Sequence, residues 1–326
     1  MELGTKSFLG GQVEKRIAGS LWGAVVGDAL GVPVEFKGRH ERERDPVTDM
    51  RGHGTFDLPA GSWSDDSSLM LCTIEGLLDG FDTERIGKIF IRWLREAHWT
   101  PYGIVFDVGF GTSQAIRHIE QGIAAELAGS TEEMNNGNGS LMRILPIAIH
   151  CLAMTDDDVI HHAHRASSIT HGHPRSLMSC GMYCLMYRAL LEGKPPYDAY
   201  LSTVEKAKGI YSAPPFIGEM PHFNRVLGGD IGSYPERKIE ADGYVIHTLE
   251  AALWCLMNTS SYRDAVLKAV NLGHDTDTTA IVTGGLAGSC YGPDAIPEEW
   301  LGRIARRDDI GRLFRAFLEK NGGVSP

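Results

Sequence analysis

His274-Asp275-Thr276-Asp277-Thr278-Thr279 runs without a break into Ala280-Ile281-Val282-Thr283-Gly284-Gly285-Leu286-Ala287-Gly288. The second half is apolar and rich in small residues. That composition suits a buried helix whose backbone lies close to its neighbours. The first half places two carboxylates at the start of this core helix, where unpaired charge is costly. Aspartates two positions apart would point about 200° apart on a regular helix. To converge, they must lie on irregular backbone or in the first helical turn. Bound cations would offset the cost of burying them.

A second acidic cluster, Trp63-Ser64-Asp65-Asp66-Ser67, lies about two hundred residues earlier. It leads directly into apolar residues at 69, 70, 74, 77 and 78, a stripe at helical spacing. Helix capping by Ser64 or Asp65 accounts for one of these carboxylates. It does not account for two adjacent ones flanked by hydroxyls. Four carboxylates brought together repel strongly unless cations lie between them. Oxygen-only ligands suit hard divalent ions such as magnesium or manganese. If the fold joins the two clusters, they make a two-metal site.

The remaining periodicity is mostly helical. Asp82-Thr83 reads as the cap of a helix that buries Ile86, Ile89, Phe90, Trp93 and Leu94. Segments 177–191, 243–257 and 262–270 read as further helices. No alternating run is long enough for a sheet, and no strand–helix alternation appears, so the fold class is all-α. Segments 36–61, 129–140 and 213–235 read as loops from their glycine, proline and asparagine content. The last, with four prolines, has the length of a functional rim or of surface elaboration. Glu41-Arg42-Glu43-Arg44 reads as a solvated charged face. Residues 1–15 read as a polar, glycine-containing extension ahead of a single domain over 16–326.

The formal net charge of −11 argues against broad nucleic-acid binding, which needs a basic face. It leaves room for a small anion in a local pocket. Six cysteines without a C-x-x-C pair argue against structural zinc, and Cys180 and Cys184 read as buried thiols. No apolar run is read as long enough for a membrane span, and residues 1–16 lack the long apolar stretch of a secretory leader. A reduced, cytoplasmic compartment is the simplest reading.

Three further segments carry chemistry. Glu35, in Gly27-Asp28-Ala29-Leu30-Gly31-Val32-Pro33-Val34-Glu35, reads as a general acid or base, a metal-coordinating carboxylate or an exposed loop residue; Asp28 reads equally as a structural acceptor. Asn135-Asn136-Gly137-Asn138-Gly139-Ser140-Leu141-Met142-Arg143 suits a phosphate cradle or a tight inter-helix turn. It lacks the third glycine of a dinucleotide fingerprint, and the chain has no P-loop and no G-x-S-x-G elbow. The histidines at 161, 162, 164, 171 and 173 do not match a zincin helix. Among them, His171 reads as a residue that could line a ligand pocket.

Together these motifs resemble the ADP-ribosylglycohydrolase family, in family order, from Ile17 to Gly292. The opening Gly27-Asp28-Ala29-Leu30-Gly31 with Glu35, the Ser64-Asp65-Asp66-Ser67 cluster, the loop 137–143 and His274-Asp275-Thr276-Asp277-Thr278 carry the resemblance. It implies a compact, single-domain, orthogonal all-α bundle with two magnesium or manganese ions. It implies ligation by Ser64, Asp65, Asp66, Asp275, Asp277 and Thr278, with serine where the family has threonine. It implies ligand binding by Gly137, Asn138, Gly139, Ser140 and Met142. The catalytic acid is open between Glu35 and Asp107. The latter sits in Phe106-Asp107-Val108-Gly109, which resembles a segment of the nitrogenase-regulating branch but continues with Phe110 where that branch has asparagine.

The implied activity is hydrolysis of ADP-ribose from a protein side chain, foremost arginine, by attack of water at the anomeric carbon. The implied partners are an ADP-ribosylated protein and a cognate ADP-ribosyltransferase, with no nucleic acid and no membrane. A competing reading is an antidote protein that binds ADP-ribose or occludes such a transferase through the extension 1–15 or the loop 213–235. A third is a two-metal phosphoesterase, although such sites usually mix histidine with carboxylate.

Overall fold

The computed structural model describes residues 3–321, with side chains from residue 11 onward. Among these residues there are fifteen α-helices and no strand. In chain order they are α1 (Leu3–Gly31), α2 (Arg39–Arg44), α3 (Asp65–Leu77), α4 (Thr83–Glu96) and α5 (Phe110–Glu120). Next come α6 (Leu145–His150), α7 (Asp156–Ser168), α8 (Pro174–Leu191), α9 (Pro196–Ile210) and α10 (Asn224–Leu227). The last five are α11 (Val245–Met257), α12 (Tyr262–Asn271), α13 (Thr276–Tyr291), α14 (Glu298–Leu301) and α15 (Arg307–Asn321).

The organising contact is α1 against α13, which run antiparallel. Gly19, Gly23, Gly27 and Gly31 recur every four residues on one face of α1. A β-carbon on Gly23 would stand 2.5 Å from the Gly284 carbonyl oxygen, and one on Gly31 would stand 2.3 Å from the Asp277 backbone nitrogen. Glycine on both helices therefore lets backbone touch backbone along the seam. The end of α1 is thereby pressed against the first turn of α13, where the aspartates lie. Tyr262 of α12 braces the pair, its hydroxyl donating to the Gly23 carbonyl at 2.7 Å.

Segment 11–34 is long and apolar enough to cross a membrane, contrary to the reading that no run reaches that length. Alanine and glycine supply much of its apolar length in place of large hydrophobics. Most of it is buried among other helices of the same chain, so it serves as a core helix. Helix α1 also runs unbroken through residue 15, where the polar extension was read to end. Residues 1 and 2 of that extension lie outside the described residues.

Asp82 caps α4 as expected, accepting from the Glu84 and Arg85 amides at 3.0 and 3.2 Å. Ile86, Ile89, Phe90 and Trp93 are buried beneath it. Helix α3 differs from the single-stripe reading, since nearly every residue in it is buried. The segment 36–61 is not all loop, because α2 occupies Arg39–Arg44. Nor is that charge run wholly solvated: Arg42 turns inward and is buried, while Glu41, Glu43 and Arg44 stay exposed. The segment 213–235 contains α10 and short helical turns, anchored by buried Phe223, Val226, Leu227 and Ile231. Cys180 and Cys184 are buried free thiols.

Candidate active site

The two acidic clusters, remote in sequence, meet at the N-termini of α3 and α13. Ser64 caps α3, its hydroxyl accepting from the Asp66 amide at 3.2 Å, and Asp65 and Asp66 fill the first turn. Asp275 occupies the position before α13, on non-helical backbone, and Asp277 lies in the first turn. This resolves the angular problem of two aspartates two apart. Left-handed backbone at Gly273 and His274 turns the chain into that position. The clusters are joined directly by the Thr278 hydroxyl, which donates to Asp66 Oδ1 at 3.2 Å.

Asp28 explains how α3 is held there. Its fully buried carboxylate accepts from the Ser64 amide at 3.0 and 3.2 Å and from the Ser67 amide at 3.0 Å. It thus caps the helix from outside, against the positive end of the helix dipole. Asp28 is thus a structural acceptor, as its sequence context suggested. Asn138 fixes α13 in the same manner: its amide donates to Asp275 Oδ2 at 2.7 Å and to Thr248 at 2.9 Å. The loop 137–143 is therefore tied to the acidic cluster through a side chain. Its backbone is tied to the start of α11, with the Asn138 amide donating to the Gly243 carbonyl at 3.0 Å.

These residues line a cavity of about 390 Å³. Glu35, Asp65, Asp66, Asp107, Asp275 and Thr278 supply its acidic wall. Gly137, Asn138, Gly139, Met142 and His171 supply another part of the lining, and Gly111 and Thr112 of α5 join them. Ser140 is brought near but turned away, since its hydroxyl accepts from Ser167 at 2.9 Å inside the protein. Ser64 and Asp277 stand just behind the wall, both buried. Gly111, Thr112 and Gly243 were not singled out from the sequence. They lie in ordinary helix-start or turn contexts that carry no local chemical signal.

The carboxylates are held in an unfavourable state for bare protein. Burial and mutual repulsion push Asp66 and Asp277 well above the usual carboxylate range. Burial raises Asp65 as well, with Asp107 and Asp28 adding to it. Asp275 is pushed up by burial against the hydrogen bonds that oppose it. Burial drives Glu35 upward, with the charges of Asp277, Asp107 and Asp275 adding to it. Asp107 is pushed up to about 6, chiefly by burial. It also holds a left-handed backbone angle, φ 53°, that a non-glycine residue adopts at a cost.

Buried oxygens of Glu35, Asp66 and Asp277 have no hydrogen-bond partner. Orphaned anionic oxygens at this density fit a hard cation better than any arrangement of protein donors. Oxygens of Asp28, Asp66 and Asp277 lie within 4.8 Å of one another, as do those of Glu35, Asp275 and Asp277. The site can thus bind metal, and the donor set is oxygen alone.

A family model described as ADP-ribosylglycohydrolase matches residues 10–325. The chain belongs to the ADP-ribosylglycohydrolase family. It is 34% identical over 304 residues to the ADP-ribosylarginine hydrolase Tri1 of Serratia proteamaculans (strain 568), covering 90% of this chain and 76% of that one. It is 28% identical over 323 residues to the ADP-ribosyl-[dinitrogen reductase] glycohydrolase of Rhodospirillum rubrum, covering 96% and 99%. A solved structure described as an ADP-ribosylglycohydrolase-related protein complex superposes with a TM-score of 0.79 at 32% identity, covering 95% of this chain and 99% of that one. The all-α fold and the hydrolase class read from the four ordered motifs are those of this family, and the chain is an ADP-ribosyl hydrolase.

Proposed function

We propose that this glycohydrolase removes ADP-ribose from arginine side chains of proteins, using a binuclear magnesium or manganese centre. The observation that carries the reading is the joining of two acidic helix starts, with orphaned carboxylate oxygens, on one cavity with the loop 137–143. The arginine linkage is supported by the activity for which the Serratia relative is named, ADP-ribosylarginine hydrolysis. Asp65, Asp66, Asp275, Asp277 and Thr278 would hold the ions, with Ser64 offering the second lone pair of a hydroxyl already engaged as a cap. When bound, the ions supply Lewis acidity toward hydroxyl oxygens and the positive charge that lets these carboxylates stand ionised together.

The chain's own residues do the rest. The loop 137–143 and His171 orient the ADP-ribosyl group, with the anomeric carbon toward the acidic wall. Asp107 takes a proton from the water whose oxygen bonds to the anomeric carbon as the C–N bond breaks through an oxocarbenium-like state, and it returns that proton to the guanidine, which leaves with the bonding pair and is released as guanidinium. Asp107 is favoured over Glu35 for this role on geometry. Both line the cavity and share a hydrogen bond, but Glu35 lies within the oxygen group formed with Asp275 and Asp277, whereas Asp107 lies outside both such groups. The substrate protein meets the molecule at the cavity mouth, where Phe110 and Met134 line the pocket and are exposed.

The test is incubation with arginine- and serine-linked ADP-ribosyl peptides, with magnesium, with manganese and with chelator. Metal-dependent release of ADP-ribose from the arginine peptide is expected. No release from either peptide under any metal condition would remove the proposal.

A further inference from the structure

One buried cation has no part in the proposed reaction. Arg143 is completely buried, and among the described residues no carboxylate pairs with it; its guanidinium lies over the Phe90 ring, 4.9 Å from the centroid. Its Nε and Nη1 have no partner, and burial pushes it down to about 10. Burying a guanidinium in this way is expensive. Its hydrogen bonds come from Nη2, to the Ala166 carbonyl at 3.0 Å and to Thr170 Oγ1 at 2.7 Å.

The second of these bonds has a consequence for His171. A guanidinium only donates, so Thr170 Oγ1 accepts from Arg143. The Thr170 hydroxyl hydrogen then needs an acceptor. The one other atom bonded to Thr170 Oγ1, among the described residues, is His171 Nδ1 at 2.9 Å. If Nδ1 carried a hydrogen, the buried Thr170 hydroxyl would have nowhere to donate. Nδ1 therefore accepts, and the ring hydrogen sits on Nε2. Burial, with the Arg143 charge beside it, pushes His171 down to about 3, so the ring is neutral.

Nε2 has no partner in the protein and faces the glycine-lined part of the cavity. A β-carbon on Gly111 or Gly137 would stand 3.2 or 3.4 Å from it, and one on Gly139 would stand 2.9 Å from the ring. Glycine at these positions leaves the space around Nε2 open to a ligand atom. We propose that Arg143 and Thr170 are positioning residues that fix His171 as the Nε2–H tautomer, which donates a hydrogen bond to an anionic oxygen of the ligand's pyrophosphate. The identity of that ligand rests on the functional reading above; the tautomer does not. The Arg143 charge behind the ring, which no carboxylate neutralises among the described residues, strengthens the same preference, because it lies on the Nδ1 side and favours an anion in front of the ring.

The test uses the full-length protein in magnesium buffer, with histidine labelled by ¹⁵N. Long-range proton–nitrogen spectra distinguish the two neutral tautomers, and His171→Gln assigns the signals. The wild type is expected to show a single Nε2–H form at neutral pH. Thr170→Val is expected to mix the tautomers and to raise the Kd for ADP-ribose about tenfold, while Thr170→Ser stays within about twofold of wild type. A purely structural role for Thr170 would lower the melting temperature without moving the tautomer. An Nδ1–H tautomer in the wild type overturns the inference, whether or not Thr170→Val folds. So does a folded Thr170→Val with unchanged tautomer and affinity. If the wild type binds no ADP-ribose at all, the functional reading and the ligand half of this inference fall together, and the spectrum still decides the tautomer half.

Discussion

Gly27→Ala isolates the seam between α1 and α13 from everything else in the fold. In a helix interior this exchange should stabilise by about 1 kcal/mol, because alanine loses less backbone entropy. Here the added β-carbon would lie 2.2 Å from the Ala280 carbonyl oxygen and 2.7 Å from its carbon. Both obstacles are backbone, so no side chain can swing aside. The helices must part by about 1 Å, which forfeits a quarter to a half of each contact's dispersion energy along the seam. Overpacking of this kind costs up to about 3 kcal/mol, leaving a net loss of about 2 kcal/mol. For a chain of this size that corresponds to a fall of about 3 °C in melting temperature. Gly11→Ala, on the same helix, is the internal control: nothing lies within 4 Å of its added carbon, and it is expected to be neutral or stabilising. Urea and thermal melts of both variants measure the difference. Equal stability of Gly27→Ala and Gly11→Ala would refute the close-packed seam. Gly31→Ala extends the test to function. Its carbon would lie 2.3 Å from the Asp277 amide nitrogen and 2.4 Å from its α-carbon. It should therefore weaken divalent-metal binding by a larger factor than Gly27→Ala does at comparable loss of stability.

Three more outcomes follow from the acidic wall. Asp277→Asn is expected to raise the melting temperature of the metal-free protein, by relieving repulsion among buried carboxylates, while abolishing the stabilisation that magnesium or manganese gives; calorimetric melts with and without metal check both signs. Metal-free stability should fall as pH rises: these carboxyls have folded pKa values above their unfolded values near 4, so nothing is lost below about pH 4, and stability declines as pH climbs through about 6 for Asp107 and Asp28 and higher for Asp66 and Asp277. A metal-free melting temperature that is flat or rising over that range would contradict the placement of these groups. Asn138→Ala leaves Asp275 without its 2.7 Å donor, and metal affinity measured by titration should drop about tenfold, with a stability change of about 1–2 kcal/mol.

What the sequence made legible was local and chemical. Asp82 before Thr83 announces a helix start because a short acceptor beside free amides has few other uses. Asp275 and Asp277 announced irregular backbone because helical geometry forbids their convergence otherwise, and the structure supplies non-helical backbone at Asp275. What stayed hidden was set by contacts over long sequence separation. The four-residue spacing of the α1 glycines carries no signal in hydrophobic periodicity, which gives no weight to a residue without a side chain. Their spacing of four became meaningful once α13 lay against it. Arg42 was read as solvated because it stands between exposed charges, and only the packing of α2 turns it inward. Ser140 was grouped with the ligand loop by adjacency, yet its hydroxyl faces Ser167 across 27 residues of chain.

The same distinction bears on how the cavity came to have two chemically different parts. One wall gathers carboxylates that each helix start would tolerate singly, and the seam between α1 and α13 forces them together. Near its glycine-lined part lies the single fully buried arginine, without a carboxylate among the described residues. A protein minimising its own electrostatic energy would have paired the two, since an opposite charge lowers the cost of burying either. Here they are kept apart. Asp66 and Asp277 retain orphaned oxygens, and Arg143 retains orphaned nitrogens. A ligand carrying hydroxyls that bind cations at one end and a pyrophosphate that accepts from His171 at the other would engage both parts of the cavity at once. Binding of ADP-ribose and of metal should then be mutually reinforcing: each is expected to lower the other's Kd by the same factor, as linkage requires. Titrating metal with and without ADP-ribose measures that factor, and independent binding would argue that no single ligand engages both parts of the cavity.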